Sequence, residues 1–502
     1  MAEPSLRDAL AEDPPPPQAV RQVGLVGGLA LFVAVLLLPV PEGLSLEGWR
    51  CTAVAALMAV WWITEAIPIP ATALLPLVLF PVLGVLPVAE AAAPFANPLI
   101  YLYLGGFLLA LGMQRWGLHR RLALSIVRLV GESPRRIAFG FLLATAFVSM
   151  WVSNTATALM MLPIGVSVAR LVGEGAEAAT KRNFGIVVAL SIAYGATVGG
   201  LGTIIGTPPN ALLAGFLNET YGVEIGFGQW MGLGVPLVAV GLPLTFAVLT
   251  RVYPLGREPM ARGAAYVREQ LDAMGPMSGP ERAVALVFGL VAALWVFGPV
   301  VREGVPGLSD TSIAMGGALL LFLLPVDWRR MEFVLDWRDA SELPWGVLIL
   351  FGGGLSLAAA VQTTGLAEYI GTLLTGLDGW PTLAVVAVVA LVILLLTEMT
   401  SNTATAAAFL PIVAALALSL GESPLVLAVP AALAASCAFA LPVATPPNAI
   451  VFGSDLVTLP QMARAGVWLN AEFLLLVTAA AYALLPVVFG VVYGEVPIWA
   501  AP

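Results

Sequence analysis

Apolar segments of roughly membrane-spanning length recur from residue 23 to residue 492, and this hydropathy pattern constrains the fold more than any other feature of the chain. A bilayer core takes roughly 17 to 25 apolar residues of helix. Spanning helices are predicted at 23–40, 51–68, 70–87, 97–115, 184–205, 229–251, 281–301, 309–325, 345–362, 425–443 and 466–492. With 60% hydrophobic and 11% charged residues, the chain is expected to be an all-α integral membrane protein. The apolar segments continue to the C-terminal end, so a cleaved secretory signal does not account for them. Residues 1–22, with prolines at 14 to 17, are expected to form a cytoplasmic tail.

Several function classes lose support at once. The single histidine, His119, lies in a basic run with Arg115, Arg120 and Arg121 and reads as a solvated residue at a helix end. Cys51 and Cys437 sit in separate apolar segments, as packing residues. Zinc chemistry and histidine acid/base chemistry therefore have no residues to work with, and no nucleophile and base cluster together, so no enzyme is expected. The net charge of −9 reflects solvated loop acids, and no nucleic-acid partner is expected.

Two further apolar stretches, 137–169 and 382–419, carry a polar triplet near their middle: Ser153-Asn154-Thr155 and Ser401-Asn402-Thr403. A non-helical turn at membrane depth is tolerated only inside protein or along a wet cavity, so both stretches are predicted to be re-entrant hairpins. With eleven spans, two hairpins and a cytoplasmic N-terminus, all but Arg50 and Arg302 of the 22 Lys and Arg fall inside. The segments around Glu219, Asp378 and Glu422 carry no basic residue and fall outside, as does the C-terminus.

The chain also repeats itself, the first copy beginning near residue 51. Gly105-Gly106, Gln114, Gly117-Leu118 and Ser153 recur 248 residues later as Gly353-Gly354, Gln362, Gly365-Leu366 and Ser401. Gly206-Thr207-Pro208-Pro209-Asn210-Ala211 recurs 238 residues later as Ala444-Thr445-Pro446-Pro447-Asn448-Ala449. Because one hairpin opens from each side, the copies are expected to be inverted, the plan of carriers with midplane sites.

Each copy thus has a Ser-Asn-Thr tip and a helix broken at Thr-Pro-Pro-Asn, where proline leaves backbone carbonyls unpaired and able to meet a cation. New helices are predicted to start at Ala156, Asn210, Ala404 and Asn448, so four positive ends of about half a charge each would face a bound dianion. No Lys or Arg is assigned to the membrane centre, which leaves mobile cations to neutralise that dianion. Ser149, Ser153 and Asn154 in one copy, and Thr397, Ser401 and Asn402 in the other, are neutral oxygen donors that suit sodium. A lone triplet is ordinary, since Ser and Thr in membrane helices usually bond their own backbone. Two in register, each followed by a Pro-Pro-Asn break, argue for a site. Of the intramembrane carboxylates, Glu65 is expected to cap a helix end or snorkel. Glu398, beside Thr397, is expected to tune the second cation site rather than ligate it.

Trp61-Trp62-Ile63-Thr64-Glu65-Ala66-Ile67-Pro68, both tips, and the run from Ser436 through Thr445-Pro446-Pro447-Asn448 to Val451 resemble the divalent anion/sodium symporter family, the INDY-type dicarboxylate carriers. The resemblance covers nearly the whole chain after the tail. It implies a homodimer and an elevator motion, with scaffold helices at 23–136 and 218–381 and a transport domain at 137–217 and 382–502. It implies one sodium site from Ser149, Ser153, Asn154 and the Gly206 carbonyl, and another from Thr397, Ser401, Asn402 and the Ala444 carbonyl. Substrate carboxylates would meet Asn154, Thr155, Thr207, Asn402, Thr403 and Thr445. Neither cation site carries a basic replacement. The first break reads Gly206-Thr207 where some relatives have Gly-Ser, which leaves substrate size open. The expected function is sodium-coupled symport of small di- or tricarboxylates across the cytoplasmic membrane. A sodium-independent exchanger and a carrier of sulfate or another inorganic dianion are the alternatives.

Overall fold

The computed structural model describes residues 17–131, 133–171, 178–256, 261–305, 307–373 and 379–500. The expected tail up to residue 16, residues 172–177 and 257–260, and Asp378 lie outside the described residues. Among the described residues, eight helices are long and apolar enough to cross a membrane, and four shorter apolar helices accompany them.

The first helix, Gln18–Leu37, takes in Arg21, which hydropathy alone placed in the tail. The Arg21 Nε donates to the Glu65 carbonyl at 3.0 Å, so this charge is anchored at a helix end. Glu65 is the C-cap of Leu46–Thr64, in left-handed conformation at φ 46°. The segment 70–87 is not one helix. Prolines at 76 and 81 remove amide donors, and the chain folds as Ile69–Ala73 followed by Leu75–Leu83. Asp310–Leu323 has 14 residues, about 21 Å at 1.5 Å per residue, shorter than the roughly 30 Å core. The segment 425–443 is helical only over Leu425–Ala435.

Both polar triplets sit where hairpins turn. The arms are Pro134–Ser149 and Asn154–Leu171 in the first copy, Thr382–Thr397 and Asn402–Ser419 in the second, 16 and 18 residues long in each. The broken helices are Ala178–Gly200 continuing as Pro208–Tyr221, and Leu425–Ala435 continuing as Pro446–Phe452. All four restarts fall two residues earlier than expected, at Asn154, Pro208, Asn402 and Pro446. At three of them a side chain caps the restart. Ser153 Oγ accepts from the Ala156 amide (3.3 Å), Ser401 Oγ from Ala404 (3.4 Å) and Thr445 Oγ1 from Asn448 (3.3 Å). The prolines occupy first-turn positions whose amides would have no partner anyway.

The repeat extends further than the matching letters. Gly117 and Gly365 take left-handed φ values of 72° and 74°, and each introduces a helix, Leu118–Val130 and Leu366–Leu373, that hydropathy did not reveal. Charged residues interrupt the apolar run in the first of them, so a long averaging window passes over it. His119 lies there and is not the solvated residue expected. Its ring is half-buried with Nδ1 3.0 Å from the Met113 carbonyl, and burial holds its pKa below the ordinary value. The same helix is pinned by Arg121, which pairs with the buried carboxylate of Glu281 at the start of Gly279–Val296.

The core lies where the two broken helices meet the hairpins. Residues 184–207 and 422–440 are buried without interruption. Helices apolar all round belong in an interior, and these two form the centre of the molecule.

Candidate functional site

Ser149 closes the first arm of its hairpin, and Asn154 opens the second. The Ser149 Oγ lies 2.6 Å from the Asn154 side-chain oxygen and 2.9 Å from the Ala196 carbonyl. The same end of the Asn154 amide lies 3.1 Å from the Gly206 carbonyl and 3.2 Å from that of Ala196. Three oxygens and one end of the Asn154 amide, from the tip, the first broken helix and its break, therefore gather in one place. Glycine makes this approach feasible. A Cβ on Gly206 would stand 2.4 Å from the Gly200 carbonyl oxygen, and one on Gly200 would stand 2.8 Å from the Asn154 amide.

Five other carbonyls at this break, those of Gly200, Leu201, Thr203, Ile204 and Thr207, are tied off by side chains. Asn210 Nδ2 donates to Gly200 (3.1 Å) and Thr203 (2.8 Å), Trp230 Nε1 to Leu201 (3.1 Å), and the Tyr103 hydroxyl reaches Ile204 (2.9 Å) and Thr207 (2.7 Å). The Gly206 carbonyl faces Asn154 instead. Side chains thus satisfy the carbonyls that proline and glycine free, as burial requires.

The second copy repeats the geometry. Thr397 Oγ1 lies 2.6 Å from the Asn402 side-chain oxygen and donates to the Ala435 carbonyl at 2.7 Å. Asn448 Nδ2 donates to the carbonyls of Ala438 (3.3 Å) and Leu441 (3.0 Å), the counterparts of Gly200 and Thr203. Here Glu398 adds a device of its own. Its buried carboxylate accepts from the amides of Phe439 (2.8 Å), Ala440 (2.9 Å) and Leu441 (3.0 Å), and from Asn470 Nδ2 (2.7 Å). Four charge-assisted bonds occupy it, and it acts as a clamp on the second break.

The expected ligands are thus brought together in part. Ser149, Asn154 and Gly206 converge, as do Thr397 and Asn402. Ser153 and Ser401 turn their hydroxyls to helix caps, and Ala444 sits in the 3-10 turn Pro442–Ala444 just before Thr445. Thr155 and Thr403 lie half-buried on the first turns after the tips. Thr207 Oγ1 stands 3.4 Å from Ser436 Oγ, a contact that joins the two copies. The four helix starts are unequal, because Pro446–Phe452 has only seven residues and its dipole sums over fewer peptides than the 14 of Pro208–Tyr221.

The carbonyls of Ala196 and Ala435, the Ser436 hydroxyl and Asn470 were missed from sequence, and so was Glu472, midway along Leu459–Phe489. A backbone carbonyl carries no letter. Asn470 and Glu472, in contrast, are visible as polar residues in an apolar helix. One buried oxygen of Glu472 has no hydrogen-bond partner among the described residues. Also among these residues, no three His, Cys, Asp or Glu side chains gather, and the two clusters consist of neutral oxygens.

Paired oxygen clusters, one in each copy of a repeat at the centre of a multi-pass helical membrane protein, are the architecture of a secondary transporter. The chain belongs to the family described as sodium:sulfate symporter transmembrane region, whose profile matches residues 19–490. The sodium-dependent dicarboxylate transporter SdcS of Staphylococcus aureus strain USA300 is 41% identical over 485 residues, covering 95% of this chain and 93% of SdcS. The same values hold for SdcS of strain COL. Among solved structures, Neisseria gonorrhoeae MtrF aligns with a TM-score of 0.57 at 14% identity over 98% of this chain and all of MtrF. The Alcanivorax borkumensis YdaH transporter aligns with a TM-score of 0.52 at 14% identity, over 89% of this chain and 98% of YdaH. These two likenesses concern the fold alone.

Proposed function

We propose that the protein is a sodium-coupled symporter of small dicarboxylates in the cytoplasmic membrane. The observation that carries this reading is the matched pair of clusters, each setting an asparagine amide and a backbone carbonyl within 2.9 Å of a hydroxyl. Neutral oxygens at this density suit a hard monovalent cation. An asparagine amide can turn. With NH2 inward, Asn154 donates to the surrounding oxygens; with C=O inward, it adds another oxygen for a cation. Two bound sodium ions would balance a dianion that finds no Lys or Arg at this depth, and would remove much of the cost of moving it through a low-dielectric interior. The name of the SdcS relatives supports both the ion and the substrate class.

Substrate carboxylates are assigned to Asn154, Thr155, Thr207, Asn402, Thr403 and Thr445, at the two tips and breaks. Sodium is assigned to Ser149, Ser153, Asn154 and Gly206, and to Thr397, Ser401, Asn402 and Ala444, with the carbonyls of Ala196 and Ala435 added. The hairpins and broken helices, 137–217 and 382–492, move as one body against the remaining helices, which hold a homodimer together. The N-terminus is cytoplasmic and the C-terminus outside.

Competition separates this reading from an inorganic-anion carrier. Excess unlabelled succinate is expected to reduce uptake of labelled succinate by about tenfold when present at ten times its half-saturating concentration, following simple site occupancy. Equimolar sulfate should leave uptake unchanged. Inhibition by sulfate and not by malate or fumarate would assign the site to inorganic dianions.

A further inference from the structure

The two copies hold their breaks by different means, and the difference centres on Tyr103. This residue lies on Pro98–Arg115 with only 1% of its surface exposed, its ring packed edge-on against Phe107 (5.3 Å between centroids) and Phe351 (5.0 Å). Its hydroxyl is within hydrogen-bond distance of two carbonyls, Ile204 and Thr207, on either side of Gly206. A phenol has one proton and donates to one of them at a time. The residue 248 positions later, the repeat spacing, is Phe351, which has a ring but no hydroxyl. Conversely Glu398, which clamps the amides of the second break, corresponds at that spacing to Met150. Met150 brings no charge to the first break; its side chain lies beside Gly202 and its backbone carbonyl accepts from Thr203 Oγ1.

The second break is thus clamped by a residue of its own hairpin, whereas the first, besides the bonds from Asn210, depends on Tyr103 and Trp230, both on helices outside the transport segments. We propose that Tyr103 is the positioning residue of the first cation site, and that it makes sodium affinity there depend on where the transport segments stand against Pro98–Arg115. This rests on the sodium-coupled reading. By donating to the Ile204 or the Thr207 carbonyl, the hydroxyl steadies the residues between them, so that the Gly206 carbonyl faces Asn154 and the Thr207 side chain faces Ser436. When the two bodies separate, the first break loses the Tyr103 donor, so that the Ile204 carbonyl is free to turn and that of Thr207 keeps only the Asn210 amide, while the second break keeps its clamp. A ligand shifts a conformational equilibrium only by its differential affinity for the two states, and this contact supplies such a difference for one sodium ion of the pair.

The test uses the full chain in proteoliposomes and in detergent. Tyr103→Phe keeps the ring and its packing and removes only the hydroxyl. It is expected to raise the sodium concentration that half-activates succinate uptake by about tenfold, the effect of one buried hydrogen bond, and to shrink the sodium-induced rise in melting temperature. Phe351→Leu, which disturbs the same ring packing without a polar atom, is expected to lower the melting temperature equally with and without sodium and to leave half-activation unchanged. A Tyr103→Phe protein with native half-activation, or one that loses stability in the manner of Phe351→Leu, would overturn the proposal. Absence of any sodium effect on the unaltered protein would instead contradict the sodium-coupled reading itself.

Discussion

Asn154→Ala and Asn402→Ala are each expected to lower sodium-driven succinate uptake at least about 100-fold while the protein still elutes as a folded species. Under the proposed function, each asparagine gives an oxygen to a cation and orients a carboxylate. Losing two such contacts to charged groups, at about 1.5 kcal/mol or more apiece, amounts to roughly two orders of magnitude. The geometry makes the effect local. Asn154 meets Ser149 and the break, Asn402 meets Thr397, and neither side chain is seen bridging scaffold helices. Asn183 provides a control. Its amide donates to the exposed Pro254 carbonyl at 3.1 Å, and Asn183→Ala should change uptake less than about twofold, in keeping with a surface position. Near-native uptake by either tip variant would reduce the Ser-Asn-Thr turns to structural caps.

Tethering the first hairpin to Gly279–Val296 is expected to stop transport. Trp151, at the hairpin turn, packs edge-on against Phe288 (5.1 Å between centroids) and stacks parallel to Trp295 (6.5 Å), with Phe227 stacked against Trp295 at 4.2 Å. If the hairpins and broken helices move as a body, this contact must break in each cycle. Cysteines replacing Trp151 and Phe288, joined by a short reducible crosslinker, should lower uptake by at least about tenfold, and reduction should restore it, as expected when a rigid-body displacement is blocked. The native Cys51 and Cys437 are both fully buried, so the introduced pair is the reactive one. Undiminished uptake in the crosslinked protein would remove the elevator and favour local opening of the hairpin tips.

The parts of the fold legible in the sequence were those written in side chains. The tips, the breaks and the 248-residue spacing stand out because polar triplets and paired prolines are conspicuous in apolar helices. Helix starts were displaced by two residues because Ser153, Ser401 and Thr445 act as caps, and capping depends on a backbone conformation that letters show only indirectly. Hydropathy alone makes 70–87 one span because it averages over Pro76 and Pro81, although each removes a donor from the helix. Leu118–Val130 was passed over for the opposite reason, as its charged face cancels its apolar face in any long average. The Ala196 and Ala435 carbonyls had no signal at all. Tyr103 had one: its alignment with Phe351 at the repeat spacing marks a position where the copies differ by a single hydroxyl.

The central claim is that neutral oxygens of both copies hold sodium so that a dianion can bind and cross. Uptake of labelled succinate into proteoliposomes, with an inward gradient of sodium compared with equal gradients of potassium and of choline, tests it most directly. The account predicts steep, saturable dependence on sodium and uptake near background in potassium or choline. Equal uptake in all three salts would contradict it.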